Sequence, residues 1–317
     1  MEQIKSITKV GGVDVSKREL TAAVDGLEDR ITVQNGPAGI RQLVAWLRAR
    51  DVGRVGLEAT GGYEADVRAA LEAAAFEVVF HQPCEVKLFA KLIRWKAKND
   101  DRDALLIAKA TAQVDRVRAA QDPRLRELAE RLTAYEQVTD QLAAFKTFME
   151  HVKLKDLTID LRRQIASLTR LKARLLARID QLIKAHADLA ARCRLLISLP
   201  GVGPVVAATL VVRMPELGQM SHGQAASLAG VAPFDRDSGT FKGKRFIAGG
   251  RSRPRRMLYL AALQARRCDA SLKAFYDRLI ANGKPIKVAI VAVMRKLIEA
   301  ANLVLARRQP WTKTAAI

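Results

Sequence analysis

The chain has 317 residues, 49% of them hydrophobic, and a formal net charge of +21 with a pI near 10.3. That apolar content excludes a disordered chain, and the length suits about two domains at ~150 residues each. Three widely spaced cysteines, Cys84, Cys193 and Cys268, exclude a disulfide framework or a zinc ribbon and point to a reducing compartment.

The charge is unevenly spread. Residues 1–110 carry 17 Lys+Arg against 16 Asp+Glu, whereas residues 111–317 carry 37 against 17. A polyanion is therefore expected to dock on the middle and C-terminal regions, with the near-neutral N-terminal part left to do chemistry. The opening MEQIKSITKV lacks the apolar stretch of a secretory leader. Leu195 to Val212 is uncharged, as a membrane span would be. At its centre, however, LPGVGP sets two prolines and two glycines in five positions, which divides it into two buried pieces joined by a turn. No membrane partner is expected.

In chain order, β-like runs come first: Val10 to Val15, Leu20 to Val24 and Arg30 to Gln34. Gly36-Pro37 then opens a helical pattern in which Ile40, Leu43, Val44 and Leu47 share a face. A fourth strand, Arg54 to Leu57, delivers Glu58 to its C-terminal end. Helix Tyr63 to Ala75, strand Glu77 to Phe80, helix Cys84 to Ile93 and a helix from Asp100 to Ala112 complete a region of the α/β class.

From Arg124 to Ala190 the pattern is helical, with no glycine or proline. Leu161, Leu168, Leu175, Leu182 and Leu189 recur every seventh residue, with Ile165 and Ile179 on the companion row and Lys172 and His186 interrupting it. Such heptads do not name their partner: a hairpin with Leu125 to Val152 and a seam between two copies fit equally. The last region is mostly helical, through His222 to Ala229, Pro254 to Arg267, Leu272 to Leu279 and Pro285 to Ala306. Phe241 and Phe246 flank Lys242-Gly243-Lys244, which reads as a tight hairpin turn, and the tail after Pro310 reads as frayed.

Two sets of residues carry chemistry. Asp14 in VGGVDVSK, Glu58 in VGLEATGG, and Asp100 and Asp103 in KNDDRDALLIAKA are acids in apolar contexts. A carboxylate at the end of an apolar strand is costly to desolvate unless a cation or strong hydrogen bonds neutralise it, so their convergence would suit Mg²⁺ or Mn²⁺. Asp100 and Asp103 are three apart and share a helix face, though an acid at a helix start also caps it and favours the macrodipole. Glu58, before Thr60-Gly61-Gly62, also reads as a turn residue.

The second set surrounds Ser238. Lys242, Lys244, Arg245, Arg251, Arg253, Arg255 and Arg256 follow it with no acid between Ser238 and Arg256, a field suited to a phosphate. By itself a Ser-Gly in a basic loop is ordinarily a turn with phosphate contacts. LPGVGPVVAATL matches the hairpin of helix-hairpin-helix modules, in which the Gly201 and Gly203 amides would meet a nucleic-acid phosphate; plain helix-turn-helix packing is the rival.

Taken in order, GVDVSK, LEATGG, KNDDRDA, LPGVGPVVAATL, LAGVAPFDRDSGTFKGKRFIAGGR and GKPIKVAIVAVMRKL resemble the DEDD transposases of insertion-sequence family one hundred and ten, the bridge-RNA-guided recombinases to which pilin-gene invertases are related. The resemblance implies a ribonuclease-H-like (RuvC-like) domain over 1–118, a coiled-coil connector over 119–192 and a transposase domain over 193–317. It maps the acidic tetrad to Asp14, Glu58, Asp100 and Asp103, and a nucleophilic serine to Ser238. It further implies donor and target DNA, a structured guide RNA, a homodimer or tetramer and a cytoplasmic, nucleoid-associated enzyme of DNA recombination. Asn99 stands where threonine is expected, Asp101 adds an acid, and Asp269-Ala270 replaces an expected Asn-Pro. Two other functions fit less of the chain: a junction nuclease that uses water and metal without a covalent intermediate, and a catalytically inactive nucleic-acid-binding protein.

Overall fold

The computed structural model describes residues 9–95, 100–115, 122–235, 237–240, 242–243 and 245–312, with Asp100 and Asp101 described by backbone alone. The chain divides into two compact units, residues 1–121 and 122–317.

The first unit is built on five strands: β1 (Lys9–Val15), β2 (Glu19–Val24), β3 (Arg30–Gln34), β4 (Val52–Glu58) and β5 (Glu77–His81), in sheet order β3-β2-β1-β4-β5. β1 to β3 form an antiparallel meander, while β4 runs parallel to β1 and β5 parallel to β4. Alternation along the strands sends Val13, Val15, Val55 and Leu57 to one face. There they pack with Ile40, Leu43 and Leu47 of α1 (Pro37–Arg48) and Val67 and Leu71 of α2 (Ala65–Ala73). α1 opens as the sequence predicts, with Pro37 in its first turn.

The opposite face is covered by α4 (Asp100–Ala112), against which α3 (Pro83–Leu92) packs through Val86, Leu106 and Ile107. α4 lies almost directly on the strand backbone. A Cβ on Gly12 would collide with the Ala104 carbonyl oxygen and the Ala108 nitrogen, and one on Gly56 with the Thr111 hydroxyl. Ala104, Ala108 and Thr111 are fully buried at this contact, so glycines below and small side chains above set the separation.

The second unit begins with α5 (Pro123–Met149) and α6 (Lys155–Lys184), which pack along each other as a helical hairpin within the chain. Leu125, Leu128 and Leu132 of α5 and Ile179 and Ile183 of α6 join one large core with α7 (Ala187–Ile197), α8 (Pro204–Arg213), α9 (His222–Leu228), α10 (Ser252–Cys268), α11 (Ala270–Ala281) and α12 (Ile286–Arg307). The heptad row is not continuous: α6 ends before His186, which takes an extended conformation at the N-cap of α7, so Leu189 lies on a different helix from Leu161 to Leu182. Among these leucines only Leu161 and Leu189 are buried; Leu168, Leu175 and Leu182 are half-buried.

The uncharged LPGVGP segment is the turn between α7 and α8, and α8 is buried from Val206 to Val212. No helix among the described residues is long and apolar enough to cross a membrane. Two details depart from the sequence expectations. The Trp311 backbone N–H donates to Ser198 Oγ at 2.7 Å and its ring packs on the core, so the chain is held at Trp311, while the rest of the tail expected to fray, residues 313–317, lies outside the described residues. Asp269, in place of the expected asparagine, caps α11 by accepting from the Leu272 N–H at 2.9 Å.

Gly12→Ala is expected to destabilise the protein by about 1–3 kcal/mol in urea denaturation, because backbone atoms cannot yield to the added methyl. Gly223→Ala, on an exposed turn of α9 where a Cβ meets nothing within 4 Å, should instead raise stability by about 0.5–1 kcal/mol.

Candidate active site

Gly12 and Asp14 point to the same face of β1, and Gly56 and Glu58 to the same face of β4, because side chains alternate with period two. The glycines lie beneath α4, so the two acids emerge on the α4 side. The parallel register pairs Val13 with Leu57, which sets Asp14 and Glu58 side by side at the C-terminal ends of neighbouring strands. Asp103 precedes Ala104, the residue seated on Gly12, and Asp100 lies one turn earlier on the same helix face. Asp100 has its side chain outside the described residues.

Electrostatics ties three of the acids together. Burial pushes the Glu58 carboxyl above its ordinary value; Asp14 and, more weakly, Asp103 push it further, while Lys87 pulls the other way. Among the described residues no group of three acidic, histidine or cysteine side chains is drawn tight enough to hold an ion. The like-charge pressure on Glu58 is nonetheless of the kind that a divalent cation relieves, and carboxylates are the donors such an ion takes.

Neighbouring side chains brace this arrangement. Glu64, which the sequence reading passed over, accepts from the Thr60 hydroxyl at 2.7 Å and from the Gly62 and Thr60 N–H groups at 2.9 and 3.2 Å. Burial raises its pKa, but these bonds outweigh it and hold the carboxyl below its usual range. The turn after β4 is thus organised by Glu64, and Glu58 remains a strand residue. His81 lies opposite Glu58 on β5. Its Nε2 is 2.8 Å from Thr111 Oγ1, and that hydroxyl donates to the Ile107 carbonyl at 2.7 Å, so it accepts from His81 Nε2–H. Burial lowers the imidazole pKa, and His81 is a neutral brace between sheet and α4. Strand register is the one sequence signal that could have found it.

Ser238 belongs to the second unit and is exposed. It sits on a loop closed by β6 (Pro233–Phe234) and β7 (Phe246–Ile247), with Phe234 opposite Phe246. An Asp235–Arg245 ion pair and a 3.0 Å bond from the Gly243 N–H to Asp237 Oδ1 add further rungs. Phe234 and Phe246 thus pair at the base of this loop, while the tight turn expected between Phe241 and Phe246 falls on Phe241 and Lys244, which lie outside the described residues. Ser238 follows Asp237, the last of these rungs.

The arginines expected to clamp a phosphate are engaged within the chain. Arg251 binds Glu216 through both terminal nitrogens, at 2.8 and 2.6 Å, and the Arg213 carbonyl at 2.6 Å. Arg253 donates to Glu136 at 2.7 Å and Thr133 at 2.6 Å, and Arg255 to the Gly249 carbonyl at 2.8 Å. Arg256 forks onto Asp140. These contacts are not equivalent. Glu136 also pairs with the largely buried side chain of Arg213, so breaking that node is costly, whereas the exposed Arg256–Asp140 and Arg245–Asp235 pairs contribute about 0–1 kcal/mol each and exchange readily for another anion. Lys242 is exposed.

Gly201 and Gly203 divide between the two expectations made for them. Gly201, at φ +75°, lies against α10, where a Cβ would collide with the Ala261 carbonyl oxygen; it serves helix packing. Gly203 caps α8 with open space around it.

A sheet that presents acids at adjacent strand ends beneath a close-packed helix, joined to a basic helical unit, is the build of an enzyme that acts on DNA. A family model described as Transposase, for the DEDD enzymes of IS110, matches residues 11–152, and one described as Transposase IS116/IS110/IS902 family matches 193–277. The chain belongs to the IS110 family of transposases. It is similar to the pilin gene-inverting proteins of Moraxella bovis and Moraxella lacunata, each 27% identical over 95% of this chain and 97% of the relative. A 32% identical stretch covering 38% of this chain and 30% of the relative aligns with an uncharacterized 43.6 kDa protein of insertion element IS110 from Streptomyces coelicolor.

A raised Glu58 pKa means that its favourable contribution to folding is complete below its ordinary value of 4.5 and is lost as pH rises through the folded-state value. In chelator at neutral pH, Glu58→Gln is therefore expected to melt higher than the parent. Mg²⁺ should raise the parent's melting temperature more than the variant's, as read by scanning calorimetry.

Proposed function

We propose that this transposase cuts and rejoins DNA through Ser238 as nucleophile, with Asp14, Glu58, Asp100 and Asp103 as a divalent-metal site and a structured RNA as guide. The observation that carries the reading is the pairing of Asp14 with Glu58 at adjacent strand ends under α4, with both Asp14 and Asp103 acting on Glu58. The strand order β3-β2-β1-β4-β5, an antiparallel meander followed by two parallel strands, supports a ribonuclease-H-like, RuvC-like class for the first unit.

When bound, Mg²⁺ or Mn²⁺ supplies charge neutralisation at the phosphate's non-bridging oxygens. The chain's own part is to position the reactants. Ser238 Oγ forms a bond to phosphorus as a P–O bond of the strand breaks; the serine proton is transferred to the departing oxygen, which leaves as a hydroxyl. Attack by a strand hydroxyl on the phosphoserine reverses the chemistry and frees the serine. Exposure suits Ser238 to this role, since a duplex backbone can reach it only at the surface. Lys242, Arg245 and Arg256 are the cations placed to meet the incoming phosphates, the latter two by exchanging acid partners that contribute little. Gly203, open at the start of α8, suits a further backbone contact.

Guidance by RNA and assembly into a dimer or tetramer rest on kinship and on the excess of basic residues beyond residue 110. The half-buried Leu168, Leu175 and Leu182 leave apolar surface on α6 for a second copy.

Incubation with guide RNA and both DNA partners should give a covalent protein–DNA adduct resistant to denaturing gel conditions. Ser238→Ala should abolish the adduct and recombination while leaving RNA binding intact. A water-using nuclease would cut without an adduct, and cleavage surviving in Ser238→Ala would decide for it. Asp14→Asn should keep RNA affinity and lower recombination by at least about a hundredfold, the scale of losing a group that stabilises transition-state charge.

A further inference from the structure

Residues 1–110 are nearly neutral in sum, yet α3 and the turn after it gather cations on one exposed surface. Lys87, Lys91 and Arg94 are all exposed, and among the described residues none of the three is held in an ion pair, unlike Arg251, Arg253 and Arg256 of the second unit. Lys87 and Lys91 lie one turn apart on α3, about 6 Å along its axis, and Arg94 follows just beyond the end of the helix.

α3 is fixed in place beside the acids. It starts two residues after His81, which pairs in register with Glu58, and packs through Val86 on Leu106 and Ile107 of α4, the helix that carries Asp103. Lys87 lies within electrostatic reach of Glu58. Two leucines on the outward surface of α3, Leu88 and Leu92, are 65% and 78% exposed, among the highest values for large apolar side chains in the described residues, so this surface is built to be covered.

We propose that the outer face of α3 is a DNA-docking track that leads one strand's phosphates toward the acid cluster, with Lys87, Lys91 and Arg94 as phosphate contacts and Leu88 and Leu92 against the deoxyribose edge. The inference rests on the reading of the acids as the phosphoryl-transfer site. Charge decides the occupant. Acids that bind a cation repel a polyanion until it is guided, and cations beside them supply that guidance. A second copy of this face would bring three cations against three in a chain that already carries +21.

Cys84 provides the test, being exposed on α3 one turn before Leu88, while Cys193 is buried. In full-length protein carrying Cys268→Ser, a random-sequence duplex in chelator should slow maleimide labelling of Cys84 by at least about tenfold. In Lys87→Gln/Lys91→Gln/Arg94→Gln that protection should disappear, and the slope of log affinity against log salt should fall by about 2–3, at about 0.9 per phosphate contact. Unchanged labelling of the parent with DNA bound overturns the proposal without relying on any variant's folding. So does protection that appears with protein concentration alone, which would mean that a second copy covers α3. Recombination by Asp14→Asn would defeat the acid site and leave Cys84 protection untouched, so the two readings fail separately.

Discussion

The contact on which the first unit depends is the seating of α4 on the bare backbone of Gly12 and Gly56. Any side chain at either position would lift the helix, and with it Asp103, away from Asp14 and Glu58. The same two strands that give up a side chain under the helix carry an acid two residues later, so period-two alternation converts a packing device into a site. Thr111 and His81 lock the far end of the contact through a buried hydrogen bond. A neutral imidazole serves there because a charged one would have to be desolvated.

In the second unit, arginine is a structural material as much as a ligand for phosphate. Thr133, Glu136 and Asp140 of α5 receive Arg213 from α8 and Arg253 and Arg256 from α10, so the helix is tied to the core by charge as well as by its buried leucines. Formal net charge therefore overstates what is available to nucleic acid. The useful distinction is between guanidiniums committed to a largely buried carboxylate, such as that of Glu136, and those resting on more open ones such as Asp140 and Asp235, whose pairs carry little energy.

Much of the fold was legible in the sequence because its signals are local. The three opening strands, the strand that ends on Glu58, the helix beginning at Pro37 and the α4 span from Asp100 to Ala112 follow from alternation, proline placement and apolar spacing. What escaped is decided by contacts distant in sequence. The heptad leucines gave no sign that the helix breaks at His186, because a leucine at the next heptad position suits two helices as well as one. The pairing of Phe246 with Phe234, and the bond from Gly243 to Asp237, likewise join residues that no local pattern connects. The arginines following Ser238 looked available in sequence because Glu136, Asp140 and Glu216 lie 35 residues or more away. For the acids, position was legible and mutual influence was not: only the parallel register makes Asp14 and Glu58 neighbours.

Glu64 gathers three donors from the turn that follows Glu58. A turn so braced has little freedom left to surrender when an ion or a phosphate arrives, so the entropy of ordering that segment is already spent during folding and not at each encounter. The free energy of any contact made there then goes into holding the ligand and not into ordering the chain.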